Sequence, residues 1–375
     1  MQIGVPKESR AREHRVALTP SGVRTLVQYG HRVWLETGAG SAAGFPDSDY
    51  QSAGATVAFD RLEPFLRADL VACVFAPDPK EFNLFQPGQT VFAFWSLPAA
   101  RPVDAKVLLE RGITAVGLEA IELDNGEAPV LTSMSEIAGG LTAIIGAGLL
   151  LSEFGGNGIL MGGAPGVPPA NFVVLGAGVL GRASAQAAKG MGAQVTLLDR
   201  SVDHLRQAIR ELGPGSTTML CTQPNIEKAL SFADIVVGAV AMRGERAPLL
   251  VRREKMAGMK PRSVVMDLSI DMGGCFETSR PTYFPDPTYL SEGILHFCVP
   301  NLPSVAARSA TLALTNAQLP YLVQVAQEGL ENAVEGLPEL KRGVYLHKGH
   351  CVRDTLAEVL GLPLDPWPPK PVPGG

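Results

Sequence analysis

The segment Phe172-Val173-Val174-Leu175-Gly176-Ala177-Gly178-Val179-Leu180-Gly181 runs an apolar strand into a GxGxxG loop, and residues 182–189 continue it as a helix. Each glycine has a use. Gly176 permits the tight turn, Gly178 lets the backbone approach a pyrophosphate, and Gly181 allows close helix-to-strand packing. The N-terminus of that helix favours the anion, and Val179 and Leu180 within the loop are read as lining the cofactor. The next apolar run, 194–198, ends in Asp199, 23 residues beyond Gly176, where a carboxylate accepts both hydroxyls of a ribose. That acid favours NAD over NADP, while Arg200 directly after it would tolerate a 2′-phosphate. A glycine-rich turn without ligand is the plainer alternative, and the complete βαβ setting argues against it.

Those residues need a doubly wound domain to hold them. Residues 172–299 supply one, with six strands expected at 172–175, 194–198, 218–221, 235–240, 264–268 and 295–299. The first 130 residues show a similar βα alternation, with apolar runs at 32–35, 70–74, 90–94 and 114–116 and an amphipathic stretch at 20–29. Between the two series, residues 133–153 are apolar and rich in small side chains, which predicts a buried helix joining two lobes with its glycines at close packing contacts. The run 139–151 is about a dozen residues, short for a bilayer span. Helices are expected again at 313–329 and 354–360, packed back on the first lobe. The expected fold is α/β, with two Rossmann-like doubly wound domains joined by long helices: residues 1–130 with 307–375 as substrate domain, and 131–306 as NAD-binding domain.

Composition narrows the function classes. With 46% hydrophobic and 18% charged residues the chain is not disordered, and 32 Lys plus Arg against 37 Asp plus Glu give a net charge of -5. That balance points away from nucleic acid and membrane surfaces. The five cysteines are odd in number and far apart, without metal-ligand spacing, which suits a reducing cytoplasmic setting. The N-terminus does not read as a signal peptide.

Several longer strings make the chain resemble the NAD-dependent alanine dehydrogenases, which share their fold with the nucleotide-binding subunit of proton-translocating transhydrogenase. They are Gly4-Val5-Pro6-Lys7-Glu8, Glu13-His14-Arg15-Val16-Ala17-Leu18-Thr19-Pro20, Gly38-Ala39-Gly40, Met134-Ser135-Glu136-Ile137-Ala138-Gly139, and Met161-Gly162-Gly163-Ala164-Pro165-Gly166-Val167. Beyond the GAGVLG loop follow Asp267-Leu268-Ser269-Ile270-Asp271-Met272-Gly273-Gly274-Cys275-Phe276-Glu277 and Ala313-Leu314-Thr315-Asn316. The resemblance implies a carboxylate-binding role for Arg15 and places Asp271 beside nicotinamide and substrate. It also implies that Ser135, Asp199, Ala239, Val240, Ile270, Val299, Asn301 and Leu302 line the cofactor, with His204 near the adenosine. It further implies a homo-oligomer, often a hexamer. A membrane-linked transhydrogenase is the weaker reading, since no hydrophobic tail follows.

Two positions depart from the family pattern. Its substrate-binding lysine, in a string like V-K-E-P, falls on Phe75 in Val74-Phe75-Ala76-Pro77. Its catalytic histidine, in a string like F-L-H-L-A, falls on Ser96 in Phe94-Trp95-Ser96-Leu97-Pro98. Amine oxidation needs a positioned acid/base, for which histidine contributes about 10²- to 10⁴-fold, and a serine hydroxyl does not serve near neutral pH without a neighbouring base. The expectation is therefore an NAD-dependent oxidoreductase of another amino or imino acid, with an amino or 2-oxo acid as its small-molecule partner, Ser96 and Asp271 catalytic, and Arg15, Phe75 and Trp95 binding substrate. Phe75 and Trp95 read equally well as core residues. Lys80 and Glu81 are expected to be solvated, and His14, His296, His347 and His350 structural or at the surface. The alternatives are a non-catalytic NAD-binding protein and a redox-neutral enzyme with tightly held NAD.

Overall fold

The computed structural model describes residues 1–240 and 246–368. Its strands are β1 (Gln2–Val5), β2 (Arg32–Glu36), β3 (Thr56–Ala58), β4 (Leu70–Phe75), β5 (Thr90–Phe94), β6 (Thr114–Gly117), β7 (Asn171–Leu175), β8 (Gln194–Asp199), β9 (Thr217–Leu220), β10 (Ile235–Gly238), β11 (Val264–Asp267), β12 (Thr288–Ser291), β13 (Ile294–Phe297), β14 (Val344–His347) and β15 (His350–Cys351). The chain forms two compact units, Met1–Met134 with Ser304–Gly375 and Ser135–Pro303.

The first unit holds an eight-stranded sheet in the order β15-β14-β6-β5-β4-β1-β2-β3. Strands β1 to β6 are mutually parallel, while β14 and β15 add an antiparallel edge. The winding reverses between β1 and β4, so the crevice beyond their carboxyl ends is where a ligand belongs in such a sheet. The helix Pro20–Gln28 starts at a defined point. Thr19 accepts the Gly22 N–H at 3.2 Å, and Pro20 occupies the first turn, where no hydrogen bond is lost.

The second unit repeats the arrangement in a seven-stranded sheet, β12-β13-β11-β10-β7-β8-β9, with only β12 antiparallel. Both faces are covered. Phe172 and Val174 of β7 pack with Ile235, Val237, Val264 and Met266 on one face, and Val173 and Leu175 with Val236 and Val265 on the other. The expected six strands are present, and a seventh, β12, pairs as a hairpin with β13.

The apolar segment forms the 21-residue helix Pro129–Leu149, and the boundary between the units falls inside it. Two expectations about it need correction. It starts before the uninterrupted apolar run and is long and apolar enough to cross a membrane by length and composition, so shortness is no argument here. Nor is it wholly buried. Ile144 is 63% exposed, and Gly140 and Gly148 meet nothing, whereas Gly139 presses on Leu180 and Ala183 and Gly146 on Ile235 and Met266. The close-packing glycines are those facing a neighbouring element, Gly139 the helix Val179–Gly190 and Gly146 the sheet.

Candidate functional site

In the first unit, β1 runs directly into the loop that carries Glu8, Arg10, Glu13 and Arg15, and β4 ends in Phe75. Glu8 ties the two together: its carboxyl oxygens accept the Val74 N–H at 2.7 Å and the Phe75 N–H at 3.2 Å. Burial outweighs those hydrogen bonds and pushes the Glu8 carboxyl up to about 7. Arg15 is 2% exposed and is held in a two-toothed pair by Glu13, Nε to Oε1 at 2.8 Å and Nη2 to Oε2 at 2.7 Å, with Nη1 directed at the Met134 sulfur at 3.2 Å. A planar fork gripped this way is rigidly positioned.

Phe75 is not sealed into the core. Its ring lies 6.0 Å from that of Phe94, and two guanidinium groups face it, Arg10 at 4.1 Å and Arg15 at 5.2 Å from the ring centroid. Such contacts contribute about 0.5 to 2 kcal/mol depending on desolvation. Trp95 is placed differently. It is 6% exposed, packs on Phe82 and Phe85, and donates Nε1–H to the Val91 carbonyl at 3.2 Å, so its indole serves the core and does not line the surface that Phe75 presents.

Ser96 is exposed and has φ 48°, a left-handed conformation in which a non-glycine residue is uncommon. Glu119 holds it there, accepting the Ser96 N–H at 2.7 Å, the Trp95 N–H at 3.2 Å and the Tyr345 hydroxyl at 3.2 Å. Burial raises the Glu119 carboxyl above its ordinary value. The remaining candidates are accounted for elsewhere. Glu81 is bound by Arg61 at 2.7 Å and by the Ser9 hydroxyl, so it is not simply solvated. His296 pairs with Thr278, His347 with Thr114 and Glu331, and His350 with Asp365, while the His14 backbone N–H donates to Ser304. Burial raises the thiols of Cys275 and Cys298, which keeps them unreactive.

In the second unit the candidate residues gather at the carboxyl ends of β7, β8, β10, β11 and β13. Asp199, the last residue of β8, accepts the Ala177 N–H at 2.7 Å and the Ser201 N–H at 2.7 Å, which fixes its carboxylate against the glycine loop. His204 stands 3.4 Å from the same carboxylate, on the helix Val202–Leu212 that Ser201 caps. Arg200 is exposed beside it. Gly176 has φ 109°, and a Cβ there would lie 2.3 Å from the Ala239 carbonyl oxygen and 3.2 Å from Val240. The Val240 N–H donates to Ser269 at 3.1 Å, and the Asn301 N–H to Asp271 at 3.2 Å, with Ile270 and Asp271 on a short 3-10 turn. Val299 and Leu302 put their side chains into the core. Ser135 lies one turn before Gly139 on the long helix.

A dinucleotide fits these residues. A Cβ on Gly178 would meet no atom within 4 Å, so that glycine is not demanded by packing and leaves an open cradle. The helix Val179–Gly190 that starts beside it has no side-chain cap, so its first N–H groups face the same space. The 241–245 segment after Val240 lies outside the described residues, and among the described residues no cluster of metal ligands occurs.

Sequence reading missed Glu8, Arg10, Glu13 and Glu119 as working parts. The first three sit inside or between the strings that carry the resemblance, which was the available signal; nothing local marks Glu119, whose partner Tyr345 is 226 residues away.

Two doubly wound units, one with a dinucleotide cradle at its switch point and one with Arg10 and Arg15 facing Phe75 at its own, define a dinucleotide-dependent α/β oxidoreductase. Comparison with known proteins gives the family. The family models described as "Alanine dehydrogenase/PNT, N-terminal domain" and "Alanine dehydrogenase/PNT, C-terminal domain" match residues 4–138 and 142–354. The chain is 40% identical over 363 residues to an alanine dehydrogenase of Mycobacterium tuberculosis, covering 97% of this chain and 98% of that protein. A solved L-alanine dehydrogenase superposes with a TM-score of 0.91 at 41% identity, covering 96% of this chain and 99% of that one. A transhydrogenase from Sinorhizobium meliloti follows at a TM-score of 0.80 and 26% identity, covering 94% and 99%. The chain belongs to the alanine dehydrogenase/PNT family, and NAD is its cofactor.

Proposed function

We propose that this NAD-dependent oxidoreductase acts on an amino or 2-oxo acid other than alanine. The observation that carries the reading is the pairing of an intact dinucleotide cradle with Phe75 and Ser96 at the two positions where the resemblance expects lysine and histidine. Ser135–Pro303 is the NAD-binding unit in this reading, and Met1–Met134 with Ser304–Gly375 the substrate unit. When bound, NAD accepts a hydride from the substrate α-carbon. Residues of the chain bind the carboxylate, carry off the amine proton and admit water for hydrolysis of the imine. Arg15, fixed by Glu13, contributes to carboxylate binding. Ser96, held in place by Glu119, hydrogen bonds the reacting nitrogen or oxygen. Asp271 is our candidate for orienting substrate and nicotinamide or for serving as base. Phe75 offers an apolar floor where a methyl side chain leaves space unfilled, which favours a larger substrate. The enzyme is expected to be cytoplasmic and homo-oligomeric; its five cysteines are all free, which suits a reducing compartment.

The test is a screen of amino acids with NAD and of 2-oxo acids with NADH and ammonium, followed at the NADH absorbance. Turnover of a larger substrate with higher kcat/KM than L-alanine or pyruvate is expected. Turnover best with alanine, or none with any substrate by protein that binds NAD, contradicts the reading; the latter favours a non-catalytic NAD-binding protein.

A further inference from the structure

The Arg10 guanidinium carbon lies over the Phe75 ring, 4.1 Å from its centroid, and among the described residues the guanidinium has no carboxylate or hydrogen-bond partner. Arg15, the other guanidinium facing that ring, has its Nε–Nη2 edge filled by Glu13. The two arginines therefore differ in what they offer an incoming anion. A carboxylate seeks a guanidinium edge with two parallel N–H donors, and a guanidinium whose one contact is with a ring face keeps its N–H groups for such a partner.

We propose that Arg10, seated on Phe75, completes the carboxylate clamp of this chain and grips the carboxylate of an amino or 2-oxo acid through a two-toothed contact. Phe75 is then the shelf that orients the clamp, and the cation that the resemblance places on β4 is supplied from the loop after β1. A guanidinium on an aromatic shelf reaches further and binds more directionally than an ammonium, which suits a carboxylate held at a distance by a larger side chain. This inference rests on the function proposed above.

The experiment measures binding of oxamate, 2-oxobutyrate, phenylpyruvate and 2-oxoglutarate to the full-length protein loaded with NADH, by quenching of NADH fluorescence. Wild type is compared with Arg10→Gln, Arg10→Lys and Phe75→Leu. For the best-bound acid, Arg10→Gln is expected to weaken binding about 10- to 100-fold, and Arg10→Lys less. Phe75→Leu should also lose affinity, because the guanidinium loses its shelf. NADH affinity should not move, and the melting temperature should fall by no more than a few degrees. With the substrate that the screen identifies, KM should rise more than kcat falls. Unchanged acid binding in Arg10→Gln, with tight binding by wild type, overturns the clamp and leaves the proposed function standing. Binding of NADH but of none of the acids by wild type overturns both.

Discussion

At the scale of single residues, Phe75 and Ser96 carry the argument about chemistry. Restoring Phe75→Lys and Ser96→His together is predicted to raise kcat/KM for L-alanine by at least about 100-fold, because a positioned acid/base contributes that much. Steady-state NADH formation measures it, and no gain would mean that other groups set the substrate. Glu8 gives a second prediction. Burial moves its carboxyl from 4.5 to about 7, so the folded chain holds a proton that the unfolded chain releases between those values. Its contribution to stability is therefore most favourable below pH 4.5 and falls as pH rises through about 7. Urea midpoints from pH 5 to 8 should decline more steeply for wild type than for Glu8→Ala; parallel slopes would contradict the assignment. The dinucleotide residues were legible in the sequence, since Gly176, Gly178, Gly181 and Asp199 act through backbone spacing that the strand-loop-helix order dictates. The neighbourhood of Phe75 was not. Its character comes from Arg10, Arg15 and Glu8, which the sheet brings to it from about 60 residues away or more.

At the scale of elements, the two leading glycines of the loop separate folding from binding. Gly176 has positive φ and no room for a Cβ, so Gly176→Ala is predicted to destabilise the second unit by about 3 kcal/mol or more. Gly178 has negative φ and open space, so Gly178→Val should leave the melting temperature within a few degrees while weakening NAD binding at least about tenfold. Calorimetric NAD titration beside thermal unfolding reads both, and equal loss of fold in the two variants would contradict the division of roles. Apolar runs located the central strands well because strands buried on both faces must be apolar throughout. They did not reveal β3, β12, β14 or β15, which are short, at or near sheet edges, and in three of the four cases partly exposed, mixed in polarity or only two residues long. The helix Ala307–Glu328 likewise begins six residues before the sequence suggested, through a polar turn whose burial depends on tertiary contacts such as Thr311 with the Val16 N–H.

At the scale of the whole molecule, both units place their candidate residues by the same rule. Each winds outward from a central strand pair, β1 and β4 in one unit and β7 and β10 in the other, and each gathers polar groups beyond the carboxyl ends of that pair. One unit has kept the glycine loop and the acid that a dinucleotide needs. The other keeps the buried Glu13–Arg15 pair but presents phenylalanine and serine at the two remaining positions. Sequence identity of about 40% to alanine dehydrogenases over nearly the full chain therefore fixes the family and the cofactor without fixing the substrate. The most direct measurement is NADH formation from NAD and L-alanine at alkaline pH, run beside the Mycobacterium tuberculosis enzyme after NAD binding has been verified by titration. The account predicts normal NAD binding with kcat/KM for alanine at least about 100-fold below that of the relative, given the missing acid/base. Alanine turnover at a comparable rate would contradict it.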